Sequence, residues 1–443
     1  IYTTGYFGGT VDFDPGSGTV NLTSNGGYDV YVQKLTSSGN LDWVKSFGGS
    51  SSDYGRSISV DASGNVYTTG DFGGTVDFDP GSGIVNLTSN IAADVFIQKL
   101  NSSGNLVWAK SFGGSSSDIA TSISVDASGN VYTTGRFGGT GDFDPGSGTV
   151  NLTSNGSYDV YVQKLTSSGN LVWAKSFGGS SNDYAASISV DASGNVYTTG
   201  YFEGTVDFDP GSGTVNLTSN GGRDVYVQKL TSSGNLDWAK SFGGSSSDYA
   251  NSTSVDASGN VYTTGYFYGT ADFDPGSGTV NLTSNGGTDV YVQKLTSTGN
   301  LVWAKSHVNV SKVRVTGSFV DASGNVYTTG NFGGTVDFDP GSGTVNLTSN
   351  GSHDVYVQKL TSSGNLVWAK SFGGSSYDYA TSISVDASGN VYTTGYFQGT
   401  ADFDPGSGTV NLTSNGGWDV FIQKLTSSGN LVWAKSFGGS SSD

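Results

Sequence analysis

The chain has 443 residues, no cysteine, no methionine and a formal net charge of −18. Without thiols there is no disulfide framework and no thiolate metal site. The acidic balance argues against nucleic acid and anionic membrane surfaces as partners, since both recruit basic patches. No apolar run approaches the ~20 residues of a membrane-spanning helix, so membrane insertion is not expected, and no signal peptide is visible.

The string Tyr-Thr-Thr-Gly starts at Tyr2, Tyr67, Tyr132, Tyr197, Tyr262, Tyr327 and Tyr392, a period of 65. Repeat units therefore begin at residues 1, 66, 131, 196, 261, 326 and 391. The chain is 12 residues short of seven full periods, and what it lacks is the equivalent of Tyr54–Asn65. Within a unit, Ser57–Val60 reads as a short strand A and Asp61–Asn65 as a tight turn. Val66–Phe72 reads as strand B. An insertion of about 20 residues leads to strand C, Asp94–Leu100. Asn101–Asn105 is a second turn, and Leu106–Phe112 is strand D. β-Branched and aromatic runs punctuated by Gly, Asn, Ser and Asp are the hairpin signature.

Four antiparallel strands repeated seven times predict an all-β fold, a seven-bladed β-propeller occupying residues 1–443 as one domain. The rival is a β-solenoid, whose repeats are shorter. Strands such as Leu171-Val172-Trp173 are apolar on both faces, as strands packed between neighbours must be. The repeated tryptophans, Trp43 and every 65 residues on, are expected in the core between units. One unit lacks its innermost strand A, which exposes a sheet edge open to pairing with another chain.

The stretch Asp53–Gly70, with its Ile-x-Val-Asp-x-x-Gly-Asn-x-Tyr-x-Thr-Gly pattern, resembles the SBBP repeat, a β-propeller repeat of bacterial proteins. It departs from that pattern at His307–Phe319. The resemblance implies an extracellular or bacterial cell-surface protein, and it implies no shared catalytic residues.

Comparison of the seven copies separates two ends of the unit. The A–B turn, Asp-Ala-Ser-Gly-Asn, is identical in all six copies, and the C–D turn is nearly so. The variation collects at the other end. The end of strand B and the residues just beyond it carry Tyr6, Arg136, Tyr201, Tyr266, Tyr268 and Tyr396. The approach to strand C carries Tyr28, Tyr158, Arg223, His353 and Trp418. The D–A connection carries Tyr54, Ile119, Tyr184, Tyr249 and Tyr379. Aromatic and arginine residues among Gly, Ser and Asn on loops suit recognition. These positions are the candidate binding residues for a glycan or protein ligand, against the alternative of drift at tolerant loop sites.

Each unit also carries Asp-Phe-Asp-Pro-Gly-Ser-Gly. The pairs are Asp12 with Asp14, Asp77 with Asp79, Asp142 with Asp144, Asp207 with Asp209, Asp272 with Asp274, Asp337 with Asp339 and Asp402 with Asp404. They are candidate calcium ligands, because Asp-x-Asp loops supply the oxygens calcium takes. The alternative is a Pro-Gly turn held by Asx side chains. With two histidines, neither repeated, and a single Glu203, no catalytic constellation stands out and the chain is not expected to be an enzyme. The expectation is an extracellular binding or adhesion module. The alternatives are a structural surface scaffold, a calcium-stabilised propeller and, last, a hydrolase or lyase.

Overall fold

The computed structural model describes residues 1–307 and 313–442, and every regular element in them is a β-strand. The chain forms two compact units, Ile1–Phe13 with Val20–Ser219 and Tyr226–Lys240, and Asp14–Thr19 with Asn220–Val225 and Ser241–Asp443.

The second repeat shows the pattern. Strand A, Tyr54–Val60, pairs antiparallel with strand B, Val66–Phe72. Strand B pairs with strand C, Asp94–Leu100, and strand C with strand D, Leu106–Gly114. The same order recurs through Ile119–Val125, Val131–Phe137, Asp159–Leu165 and Leu171–Phe177. In the other compact unit it recurs through Val313–Val320, Val326–Phe332, Asp354–Leu360 and Leu366–Gly374. The first repeat contributes strands B, C and D alone, Tyr2–Asp12, Asn21–Leu35 and Leu41–Phe47.

Two features differ from the sequence reading. Strand A begins three residues earlier, at Tyr54, because a bulge between Gly55 and Ser57 lets the backbone rejoin strand B in register. The insertion between B and C holds a small hairpin of its own, Thr75–Asp77 against Asn86–Thr88. Its rungs are made by Val76, which is buried, and by a Thr75–Thr88 hydroxyl pair at 2.8 Å.

In the second repeat strands B and C are buried along their length, and aromatic rings fill the space between successive repeats. Phe78, from the Asp-Phe-Asp turn, lies 5.1 Å from Phe47 of the preceding repeat and 5.3 Å from Phe96 of its own. Gln98 Nε2 donates to the Phe78 carbonyl at 2.8 Å, which fixes the turn over the core. The tryptophans are half-buried rather than fully enclosed. Trp43 Nε1 donates to the carbonyl of Ser102 in the next repeat at 3.1 Å, and Trp108 does the same to Ser167. The indole thus packs with its body and pins a neighbour's turn with its polar edge.

Of the irregular window 307–319, residues 308–312, Lys312 included, lie outside the described residues. His307 is buried, and its Nε2 lies 3.0 Å from Gln358 Oε1. Burial pushes its pKa down to about 4, so it sits neutral in the core.

Candidate binding site

Antiparallel pairing brings the variable positions together. Tyr184 at the start of one strand A lies opposite Tyr201 at the end of its strand B. Tyr249 lies opposite Tyr266, Tyr379 opposite Tyr396, Tyr54 opposite Asp71 and Arg314 opposite Asn331. The residue before strand C belongs to the preceding repeat, yet it reaches the same place. The amide of Asp53 donates to the Tyr28 carbonyl at 2.7 Å, and that of Asp183 to the Tyr158 carbonyl at 2.9 Å.

The anchoring residues are recurrent aspartates flanking the variable ones; the Asp94 position is Asp in every repeat, whereas the Asp53 position is Val313 in one. Asp53 Oδ2 accepts from Gly49 N at 2.7 Å and Oδ1 from Gly73 N at 3.0 Å, tying the D–A connection to the end of strand B. Asp118 does the same with Gly114 and Gly138. Asp94 Oδ2 accepts from Asn90 N at 3.1 Å and Nδ2 at 3.0 Å. These carboxylates are almost fully buried. Burial raises Asp94 to about 7 and Asp118 to about 6. Neighbouring carboxylates add to the rise: Asp118 acts on Asp94, Asp159 on Asp183 and Asp354 on Asp378. The glycine of each Tyr-Thr-Thr-Gly makes room for the strand A residue above it. A side chain at Gly70 would strike the Tyr54 carbonyl, and one at Gly200 the Tyr184 carbonyl.

In the compact unit that ends at Lys240, the variable side chains form a row. Tyr6 meets Tyr28 at 5.3 Å and Tyr54 at 4.9 Å, both edge to face. Arg56 lies over the Tyr54 ring at 4.9 Å and pairs with Asp71 at 2.8 Å. The Arg136 charge reaches Asp71 as well. Arg136 itself stands 4.9 Å from the rings of both Tyr158 and Tyr184, and Tyr184 packs on Tyr201 at 4.9 Å.

The other unit carries a row of its own. Arg223 Nη1 donates to the Tyr249 hydroxyl at 3.3 Å, and Tyr249 stacks on Tyr266 at 4.8 Å, with Tyr268 beside it at 6.4 Å. The Arg314 charge acts on both Tyr266 and Tyr379. Tyr379 lies 5.3 Å from Tyr396 and 5.7 Å from Trp418, while His353 stacks on Tyr377 at 5.2 Å and on Tyr379 at 5.9 Å. Tyr6, Tyr268 and Tyr377 are 39%, 39% and 42% exposed.

Every aromatic, arginine and histidine residue among the predicted binding positions thus joins one of these two rows, and Ile119 is the position that adds no ring or charge to them. Arg56, Arg314 and Tyr377 are members absent from the predicted set. Tyr377 had a sequence signal, since Ser52, Ser117 and Ser247 occupy that place in other repeats.

The Asp-Phe-Asp turns sit elsewhere, at the tip of the small hairpin. Asp77 Oδ1 accepts from Asp79 N at 3.0 Å and Val85 N at 2.8 Å. The first aspartate of each later turn, Asp142, Asp207, Asp272, Asp337 and Asp402, makes the same two bonds. Asp12 Oδ1 likewise accepts from Val20 N at 2.8 Å. The second aspartate of each pair closes its own turn. Asp14 accepts from Gly16 N and Asp79 from Gly81 N, each through Oδ1 at 2.8 Å. Asp144 accepts from Gly146 N, Asp209 from Gly211 N and Asp274 from Gly276 N, all at 2.8 Å. Asp339 accepts from Gly341 N and Asp404 from Gly406 N at the same distance. Asp14, Asp79, Asp144, Asp209, Asp274, Asp339 and Asp404, expected from the sequence as calcium ligands or as turn residues, thus each hold an Asx turn. Their carboxylates act as Asx turn acceptors for backbone amides two residues on. Among the described residues no group of three or more His, Asp or Glu side chains is placed to hold a metal ion.

Four segments, residues 42–71, 107–136, 172–201 and 367–400, match the SBBP beta-propeller repeat family. Each runs from strand D of one repeat through strands A and B of the next, and so spans two of the three positions that build the rows. Among curated proteins the chain is similar to the uncharacterized WD repeat-containing protein L264 of Acanthamoeba polyphaga mimivirus, 24% identical over 88% of this chain and 34% of that one. It is also similar to regulatory protein FlaEY of Caulobacter vibrioides, 25% identical over 91% of this chain and 43% of that one. The chain therefore spans less than half the length of these relatives. Among solved structures it is similar to a protein of unknown function from Bacteroides caccae, 10% identical with a TM-score of 0.38, covering 77% of this chain and 89% of that one. A second is the extracellular domain of the putative hybrid two-component system BT4673 from B. thetaiotaomicron, 11% identical with a TM-score of 0.23, covering 93% and 73%.

Proposed function

The chain is an SBBP-type β-propeller repeat protein, and from that premise we propose that it is a non-catalytic module that recognises a protein partner through its two aromatic–arginine rows. The observation that carries the reading is the coincidence of variation and geometry. Positions that differ among otherwise near-identical copies are the ones packed side by side, with Tyr6, Tyr268 and Tyr377 part-exposed. Tyr, Trp and Arg are the residues that dominate binding energy at protein interfaces. The similarity to a WD repeat-containing protein supports the same reading. As part of it, the seven repeats are the seven blades of one propeller, placed outside the cell or on a bacterial surface as the repeat resemblance implies.

The test is a binding screen of the intact chain against protein and glycan arrays, with and without calcium. A protein ligand whose binding is lost in Tyr28→Ala, Tyr158→Ala and Trp418→Ala supports the reading. A screen in which only glycans bind, or in which these variants bind as wild type does, overturns it.

A further inference from the structure

The chain has four arginines, Arg56, Arg136, Arg223 and Arg314, and all four stand in the rows. The lysines behave differently: 14 of the 15 sit at two repeated places, those of Lys34 and Lys45. Arginine is therefore used only where the copies differ.

The arginines do not share one role. Arg56 is paired with Asp71, and Arg223 is bonded to the Tyr249 hydroxyl. Arg136 has ring faces beside it, Tyr158 and Tyr184 at 4.9 Å each. Its Nε is buried and has no hydrogen-bond partner. Rings satisfy the faces of a guanidinium but not its N–H edge, which needs acceptors in the plane. A buried donor without an acceptor is uncommon and asks for a missing group. Asp71, the carboxylate whose charge Arg136 shares, is already engaged by Arg56.

We infer that Arg136 receives a carboxylate from an acidic side chain of the protein ligand, clamped in the plane of the guanidinium between Tyr158 and Tyr184. This rests on the reading that the row recognises protein. A carboxylate matches the planar fork with two parallel bonds. The neighbouring rings favour a peptide over an acidic sugar. Tyr6, Tyr28 and Tyr54 cover one another edge to face, and Tyr184 packs on Tyr201, so these rings spend their faces on each other rather than offering a flat platform. The net charge of −18 opposes an acidic ligand only at long range, because salt screens charges beyond about 8 Å at physiological strength.

Four arginines give four Nε–Hε signals in the intact chain labelled with ¹⁵N-arginine, and Arg136→Lys identifies one by its loss. Should that variant fail to fold, Arg56→Lys, Arg223→Lys and Arg314→Lys assign it by elimination. The chain is titrated with a capped six-residue peptide bearing one glutamate, with its glutamine twin and with an oligogalacturonate. The expected result is a saturable shift of the Arg136 signal with the glutamate peptide and none with the twin. Equal shifts from both peptides, tighter binding of the oligogalacturonate, or no movement of that signal overturns the inference. It also fails, with the protein-recognition reading intact, if a captured partner binds Arg136→Ala as tightly as wild type.

Discussion

Asp94 and Asp118 meet across one glycine: a methyl group on Gly113 would lie 2.5 Å from Asp94 Oδ1 and 2.8 Å from Asp118 Oδ2. Two carboxylates enclosed this closely cannot both ionise cheaply. The relationship recurs with Asp224 and Asp248 about Gly243, and with Asp354 and Asp378 about Gly373.

These pairs set a pH dependence whose sign is fixed. Burial raises Asp94, Asp183, Asp224 and Asp378 from 3.8 to about 7, and Asp53, Asp118, Asp248 and Asp354 to about 6. A folded state that holds protons more tightly than the unfolded chain is most favoured below the unfolded value, and loses that advantage as pH rises through 6 to 7. The turn aspartates Asp61, Asp126, Asp256, Asp321 and Asp386 act oppositely. Burial works against them, but hydrogen bonds such as those from Asn65 and Tyr67 to Asp61 outweigh it and lower their pKa. Their contribution is lost only as pH falls below 4. The folded state should therefore be more stable at pH 5 than at pH 8, by on the order of 1 kcal/mol per pair, and the melting temperature correspondingly higher. Asp94→Asn should flatten part of that slope, as thermal melts across pH 4–8 will show.

Removing Arg56 should strand Asp71. That carboxylate is buried, and its pKa is raised by burial while Arg56 holds it down. Because Arg56 is itself part-exposed, the loss in Arg56→Ala should be about 1–2 kcal/mol at pH 8, less than for a fully enclosed pair. It should shrink at pH 5, where Asp71 can take a proton. Urea unfolding at the two pH values measures both.

Gly200→Ala should cost about 2–3 kcal/mol, because the added methyl meets the Tyr184 backbone carbonyl rather than a side chain that can turn aside. The strain falls where strand A carries its cluster residue. Partner binding should therefore weaken together with stability in Gly200→Ala, whereas Tyr158→Ala should lose binding while changing the melting temperature little. Chemical denaturation alongside a binding isotherm separates the two.

Asp77→Ala should destabilise by about 1 kcal/mol, since two backbone amides lose their acceptor. Millimolar calcium or a chelator should move neither its midpoint nor that of wild type. A midpoint that follows calcium would show instead that these turns hold an ion.

Much of this was legible in the sequence. The period of 65 gave the repeats, the Asp-Ala-Ser-Gly-Asn turn gave the A–B hairpin, and comparison of the copies gave Tyr28, Tyr158, Arg223, His353 and Trp418 as positions apart. What could not be read was which of them touch. Tyr28 and Tyr54 are 26 residues apart, and Tyr28 closes on Tyr54 because strand A of the next repeat runs beside it. The small hairpin at Thr75–Thr88 was also hidden, since three-residue strands give too short a run for alternation to register. The Asp-x-Asp spacing allowed a calcium loop as well as an Asx turn, and only the positions of the amides at Gly146, Gly211 and their counterparts showed that the turn bonds form.

The sequence alone determined the all-β repeat, because copied patterns of strand and turn residues leave little choice of local structure. It also told which positions are free to differ. Tertiary structure decided that those positions form rows, that Arg56 bonds a carboxylate while Arg136 lies beside two rings with its Nε unbonded, and that recurrent aspartates lie buried in pairs beside them. Pairing across repeats and the loss of water around a side chain are set by neighbours distant in the chain, and no local pattern encodes them.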